Sequence, residues 1–229
     1  MGLVTDLAVG AAVDATAKQA NMKKELKGKT PDQQKVIKYF FGSGGCGGCL
    51  SKGLSDGEYE SMVMTKAKSM DFKQKALDKI GLDESQVNEV APIHFENYDF
   101  EVEDPYVRRG KDNVWRSAVY QITWIFFSST QVYVYQYTFN MQNDGKKEKT
   151  EEYFYKDITN FSTTSDTVDK TTFHKVSCTG KVTYIRAKID TNRFTLSAMG
   201  DKFYCAMKQN DYAEKAIQGM KAKLREKKG

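Results

Sequence analysis

The chain has 229 residues, 40% of them hydrophobic, enough to bury a core without disulfide or metal staples. Its net charge of +5 is the small difference between 35 basic and 30 acidic side chains, so it lacks the one-sided charge of a nucleic-acid binder. Four cysteines, Cys46, Cys49, Cys178 and Cys205, are too few for a disulfide framework.

Leu3, Val4, Leu7, Ala8, Ala11 and Ala15 recur at helical spacing and predict an amphipathic first helix that fades into Lys23, Lys24, Lys27 and Lys29. Asp6 and Asp14 interrupt the apolar run from Gly2 to Ala20 and no basic stretch precedes it, so it fits neither a secretory signal nor a membrane span. Asp6 also stands where a myristoylation motif requires Ser or Thr. The expected location is the cytoplasm, and a peripheral membrane protein using this helix is an alternative.

Thr30-Pro31-Asp32-Gln33 has capping-box spacing with proline at the first helical position, predicting a second helix through about Phe41. A Gly/Cys-rich linker follows at 42–53. Ser55 and Glu58 repeat the capping logic ahead of Tyr59, Met62, Val63, Lys66 and Met70, and Asp71 caps a segment ending at Gly81. A further turn is expected from Asp83 to Glu89.

Only five of the 28 aromatic residues precede His94, so the structural type changes near Pro92. This divides the chain into a helical region at 1–92 and an antiparallel β domain at 93–229. Alternation over Tyr120 to Phe126 and Tyr133 to Phe139 predicts two strands. Asn143-Asp144-Gly145 turns the chain toward a strand over Glu151 to Tyr155. Further strands are expected at 95–102, 173–178, 181–189, 194–199 and 202–206, with a polar loop from Ser162 to Lys170. Asn210 and Asp211 begin a last helix with the apolar stripe Ala213, Ala216, Ile217, Met220 and Leu224.

About seven strands in meander order, one amphipathic helix, and the segment Tyr153-Phe154-Tyr155-Lys156-Asp157-Ile158-Thr159 resemble the bacterial pleckstrin-homology-like domains over residues 95 to 228. The resemblance implies an α+β fold, a helical region followed by a β barrel or sandwich closed by the terminal helix. It also implies a non-enzymatic binding or assembly scaffold that associates with a protein partner or with itself. In eukaryotic members, basic residues between the first two strands hold phosphoinositide headgroups. Arg108, Arg109, Lys111 and Arg116 occupy a comparable hairpin here, making anionic lipid a candidate ligand, although their spacing departs from the full lipid-binding motif.

Cys46-Gly-Gly-Cys49 is the sharpest local motif, since two thiolates two residues apart can grip one zinc ion. The two remaining ligands would have to come from His94, His174, Cys178 or Cys205 on distant strands. A redox dithiol is the other chemical reading of the pair, and a glycine linker carrying two free thiols the plain one. Lys52-Gly53-Leu54-Ser55 has the wrong order for a phosphate-binding Walker loop, and neither His94 nor His174 belongs to a recognisable triad. No catalytic residue is assigned.

The tyrosines at 133, 135 and 137 could stack bases with help from Lys146, Lys147 and Lys149, but a one-sided aromatic core produces the same alternation. The cluster Lys215, Lys221, Lys223, Arg225, Lys227 and Lys228 fits an anionic surface, or equally a solvated, dipole-complementing helix end.

Overall fold

A computed structural model describes residues 22–41, 53–176 and 182–229. The protein is α+β, with antiparallel sheets and a C-terminal helix. The expected helix over Gly2 to Ala20 and nearly all of the 42–53 linker lie outside the described residues.

After a short α1 (Met22–Leu26), helix α2 (Pro31–Phe41) opens on the expected capping box: the Gln33 N–H donates to Thr30 Oγ1 at 3.2 Å, and Thr30 N–H to Gln33 Oε1 at 3.1 Å. Ser55 and Glu58 exchange the same pair of bonds at the start of α3 (Asp56–Lys68). Asp71 caps α4 (Phe72–Ile80), which stops at Gly81, whose φ of +76° is the left-handed conformation glycine adopts without strain. One 3-10 turn at Glu84–Gln86 leads into the sheets.

The central sheet has the order β1 (Val90–Tyr98), β4 (Val119–Phe127), β5 (Gln131–Asn140), β6 (Lys146–Phe154), with a small β2 (Val107–Arg109) and β3 (Trp115–Ser117) hairpin between the first two. Pairing of β4 with β5 runs unbroken from Val119↔Asn140 to Phe127↔Val132. Period two then sorts the side chains. Tyr120, Ile122, Phe126, Tyr133, Tyr135, Tyr137 and Phe139 pack with Tyr59, Val63, Phe72 and Leu77 of the helices, while Ile125, Phe127, Val132 and Val134 join a second core below. The tyrosine alternation is therefore a core face. Helical and β regions share that core, so the helices close one side of the sheet.

The second sheet is the meander β7 (Ile158–Val176), β8 (Val182–Ala198), β9 (Asp201–Ala206). Phe161, Phe194, Leu196 and Phe203 meet the lower face of the central sheet, and α5 (Asp211–Lys228) adds Ala213, Ile217, Met220 and Leu224. Lys223 and Lys227 anchor this helix by ion pairs to Glu89 at 2.6 and 3.4 Å, so part of the C-terminal basic cluster serves docking.

Four expectations are corrected. The two sheets do not close into a barrel among the described residues. The expected loop over Ser162 to Lys170 is the middle of β7, and the strands expected at 181–189 and 194–199 are one continuous β8. Their polarity is misleading, because β-branched Thr163, Thr164, Thr167, Thr171 and Thr172 suit a strand paired along its whole length whatever its exposure. The strand expected to reach residue 102 ends at Tyr98.

A row of amide side chains fastens the sheets together. Asn97 and Gln121 are direct partners across β1 and β4, and Gln136 of β5 pairs with Thr123 of β4. Asn97 Nδ2 donates to Met207 O at 2.9 Å, Gln121 Oε1 accepts from Ala206 N–H at 2.7 Å, and Gln136 Nε2 donates to Tyr204 O at 2.9 Å. They satisfy backbone groups that β9, a sheet edge, cannot place in a ladder. Replacing Gln121 by leucine strands the Ala206 N–H in a partly buried site and should lower unfolding free energy by about 1–3 kcal/mol in urea denaturation. An unchanged midpoint would show that the row is dispensable.

Candidate functional site

The β2–β3 hairpin brings the predicted basic residues together but employs them unequally. Arg116 is 3% exposed; its guanidinium meets Asp112 at 2.7 Å and Glu60 at 3.1 Å, tying the hairpin to α3. The ion pair with Arg116 holds the Asp112 carboxyl down to about 2. Arg108 donates to the Tyr39 carbonyl and lies 4.6 Å over the Tyr39 ring, which stacks on Tyr59 at 4.5 Å. The Tyr59 hydroxyl donates to Ser117 O at 2.7 Å, completing the link from α2 through α3 to β3. Arg109 and Lys111 are exposed. Arg109 Nε donates to the Asn113 carbonyl at 3.3 Å, and the Lys111 backbone N–H donates to Asp56 at 2.7 Å.

Cys46, Cys49 and Cys178 lie outside the described residues. Cys205 is 2% exposed in the lower core, where burial pushes its thiol up to about 12, and so it stays protonated. His94 faces the opposite side of the central sheet, against Trp124. The structure thus does not bring these two expected zinc donors together, and no metal-binding cluster of three His, Cys, Asp or Glu residues occurs among the described residues.

Two cavities stand out among the described residues. One, of about 140 Å³, is of mixed polarity and lies between the end of β1 and β8–β9, lined by Asp99, Phe100, Glu101, Asp190, Arg193 and Tyr204. Arg193 is already paired with Glu101 at 2.7 Å and Asp166 at 3.2 Å. Burial raises the Asp99 carboxyl, against hydrogen bonds from the backbone of Glu101 and Val102.

The other cavity, of about 320 Å³, is mainly apolar. Ile122 and Trp124 of β4 form its floor, and Met64, Met70 and Phe72 form its wall where α3 turns into α4. Met70 is 38% exposed, and Trp124 is only half-buried although it belongs to the helix-facing row of the sheet. The His94 imidazole stacks on the indole with centroids 4.7 Å apart and planes 17° from parallel, and its Nε2 stands 3.6 Å from Glu96. His94 and Trp124 are register partners, so the β1–β4 pairing itself builds this stack. A preformed apolar cleft with an aromatic floor and adaptable methionine walls accepts a bulky hydrophobic group. From sequence, Met70 reads as one more residue of a helical stripe and Trp124 as one more residue of a strand. Their common exposure depends on where two helices end.

Replacing Arg116 by methionine should cost about 2 kcal/mol of stability, since its carboxylate partners remain solvated, whereas Arg109→Ala should fall within about 0.5 kcal/mol of the parent; thermal and urea unfolding compare the two. His94 supplies a second check. Burial lowers its pKa from 6.5, opposed by Glu96. With the folded value below the unfolded one, the unfolded chain takes up the proton first. The stability linked to His94 is therefore complete above about pH 6.5 and lost as the pH falls through the folded pKa. An NMR titration should place His94 below 6.5; a value at or above it would contradict the buried stack.

No helix among the described residues is long and apolar enough to cross a membrane. No family model matches the chain, and no curated protein or solved structure matches it significantly.

Proposed function

We propose that this protein is a non-enzymatic binding scaffold of pleckstrin-homology-like type that holds a partner peptide by a bulky apolar side chain in the Trp124 groove. The observation carrying this reading is that cleft: an open stretch on the helix-facing side of β4, floored by Ile122 and Trp124 and flanked by exposed Met70. An apolar floor of Ile122 and Trp124, rimmed by Lys68, Asp71, Lys73, His94 and Glu96, favours anchoring a bulky apolar side chain whose flanks meet polar groups. The architectural part of the reading is supported by the strand order. A four-stranded meander, interrupted by the β2–β3 excursion, is followed by a three-stranded meander and a terminal helix against their common core.

The groove is preferred to the basic hairpin as the binding site because Arg108 and Arg116 are engaged in joining helices to strands. That leaves Arg109 and Lys111 as the exposed cations of the predicted lipid-facing set, and two exposed charges give weak electrostatic attraction at physiological salt.

Peptides selected from a random display library against the whole protein should carry a large aliphatic or aromatic anchor and shift Trp124 fluorescence on binding. Met70→Glu should weaken them by roughly tenfold or more, because the anchor would then meet a carboxylate. Failure to select any such peptide, or affinities indifferent to Met70→Glu and Trp124→Ala, would overturn the assignment.

A further inference from the structure

We propose that the outer edge of β7, from Ser162 to Val168, pairs antiparallel with the same edge of a second copy of this chain. This surface is separate from the Trp124 groove, and it is distinguished by how the other sheet edges are treated. The edge strand β6 carries Lys146, Lys147, Glu148, Lys149, Glu151 and Glu152, a charged guard against strand addition. On β1 the His94 N–H donates to the Tyr212 hydroxyl of α5 at 3.1 Å, and β9 is held by Gln121 and Gln136.

Over 162–168, β7 carries a single charged residue, Asp166, whose carboxylate also caps the Thr167 N–H. It contains no Lys, Arg, Pro or Gly between Asp157 and Asp169, and Thr163, Thr164, Ser165, Asp166 and Thr167 are all exposed. Its pairing with β8 is free of bulges from Asn160 to Phe173, so the strand is regular there. Alternate residues of an antiparallel edge strand direct their N–H and C=O away from the ladder. Thr167 is one of them, since its N–H is taken at 2.9 Å by the side chain of its own neighbour Asp166. Thr163 and Ser165 share its parity. The free window is bounded on the far side, where Lys170 Nζ donates to Val102 O at 3.0 Å and Thr172 Oγ1 to Val107 O.

The occupant is a second copy because the segment is self-complementary. A two-fold axis at Ser165 sets Ser165 against itself, Thr163 against Thr167 and Thr164 against Asp166, so no like charges meet. The Thr167 N–H exchanges its local carboxylate for the Thr163 carbonyl of the partner, and each copy's three-stranded sheet becomes half of a continuous six-stranded one.

Sedimentation equilibrium of the whole chain should give twice the 26.0 kDa monomer mass. Ser165→Lys places two ammonium groups opposite each other at the axis, and Ser165→Pro removes the outward N–H there; each should raise the dimer dissociation constant by roughly tenfold or more with an unchanged circular dichroism spectrum. Met70→Glu should leave the mass unchanged, which separates this interface from the groove. A single-chain mass at every loading concentration, or a dimer insensitive to both Ser165 substitutions, would overturn the proposal. Should neither variant fold, amide exchange on the unmodified protein decides it: Ser165 N–H must become more protected as concentration rises, and concentration-independent exchange refutes the pairing.

Discussion

The inner strands β4 and β5 of the central sheet are buried on both faces, and most of the architecture follows from that constraint. Alternation along β4 and β5 sends Tyr120, Ile122, Phe126, Tyr133, Tyr135 and Tyr137 upward, and Ile125, Phe127, Val132 and Val134 downward. Neither set tolerates water, so the upper face requires helices and the lower face a second sheet. At about 1.5–3 kcal/mol for each large side chain removed from water, both layers are strongly driven onto the sheet. The aromatic upper face suits the helices particularly well. Tyr39, Tyr59 and Tyr98 stack in sequence, with ring separations of 4.5 and 6.3 Å, and connect α2, α3 and β1 through one column.

Double burial creates a second problem, since polar groups trapped between layers must find partners. The protein resolves it with specific networks. Asn97, Gln121 and Gln136 serve β9 and the segment after it, while Tyr59 and Arg116 serve the hairpin. Each network joins segments far apart in the chain, and each specifies how one layer sits on the next more sharply than apolar contact does. Arg116 illustrates the distinction between exposed and committed charge: its guanidinium is 3% exposed, whereas its partners Asp112 and Glu60 remain substantially solvated.

Local chemistry was legible in the sequence wherever it acted within one element. The caps at Thr30, Ser55, Asp71 and Asn210 mark helix starts because their hydrogen bonds span three residues, and the Asn143-Asp144-Gly145 turn does the same for a hairpin. The alternation of β4 and β5 revealed strands, although one-sided burial could not be distinguished from two-sided burial before the helices were placed. β7 was obscured because a hydrophobic-pattern reading equates polar with looped. Its strand state comes instead from threonine backbone preference and from pairing with β8 along its length. The basic residues of the hairpin stood out by charge, yet their separation into committed Arg108 and Arg116 and exposed Arg109 and Lys111 depends on Tyr39, Glu60 and Asp112.

The groove has an equally nonlocal cause. Helix α3 ends at Lys68 and α4 begins at Phe72, leaving Ser69, Met70 and Asp71 to make the turn. Asp71 is committed to the α4 cap and the Ser69 hydroxyl to the Lys66 carbonyl, which leaves Met70 as the apolar side chain at the bend. The helix directions then set the coverage: Phe72 swings onto Tyr137 of β5, with ring centroids 4.9 Å apart, while Trp124 of β4 is left beside His94 on the edge strand β1. A longer helix in place of that turn would carry an apolar side chain over the indole and fill the cleft. The short connection instead preserves a preformed opening in the most aromatic face of the molecule. Its floor is held by the sheet ladder and its wall by a flexible methionine, so the cleft combines a rigid base with an adjustable side.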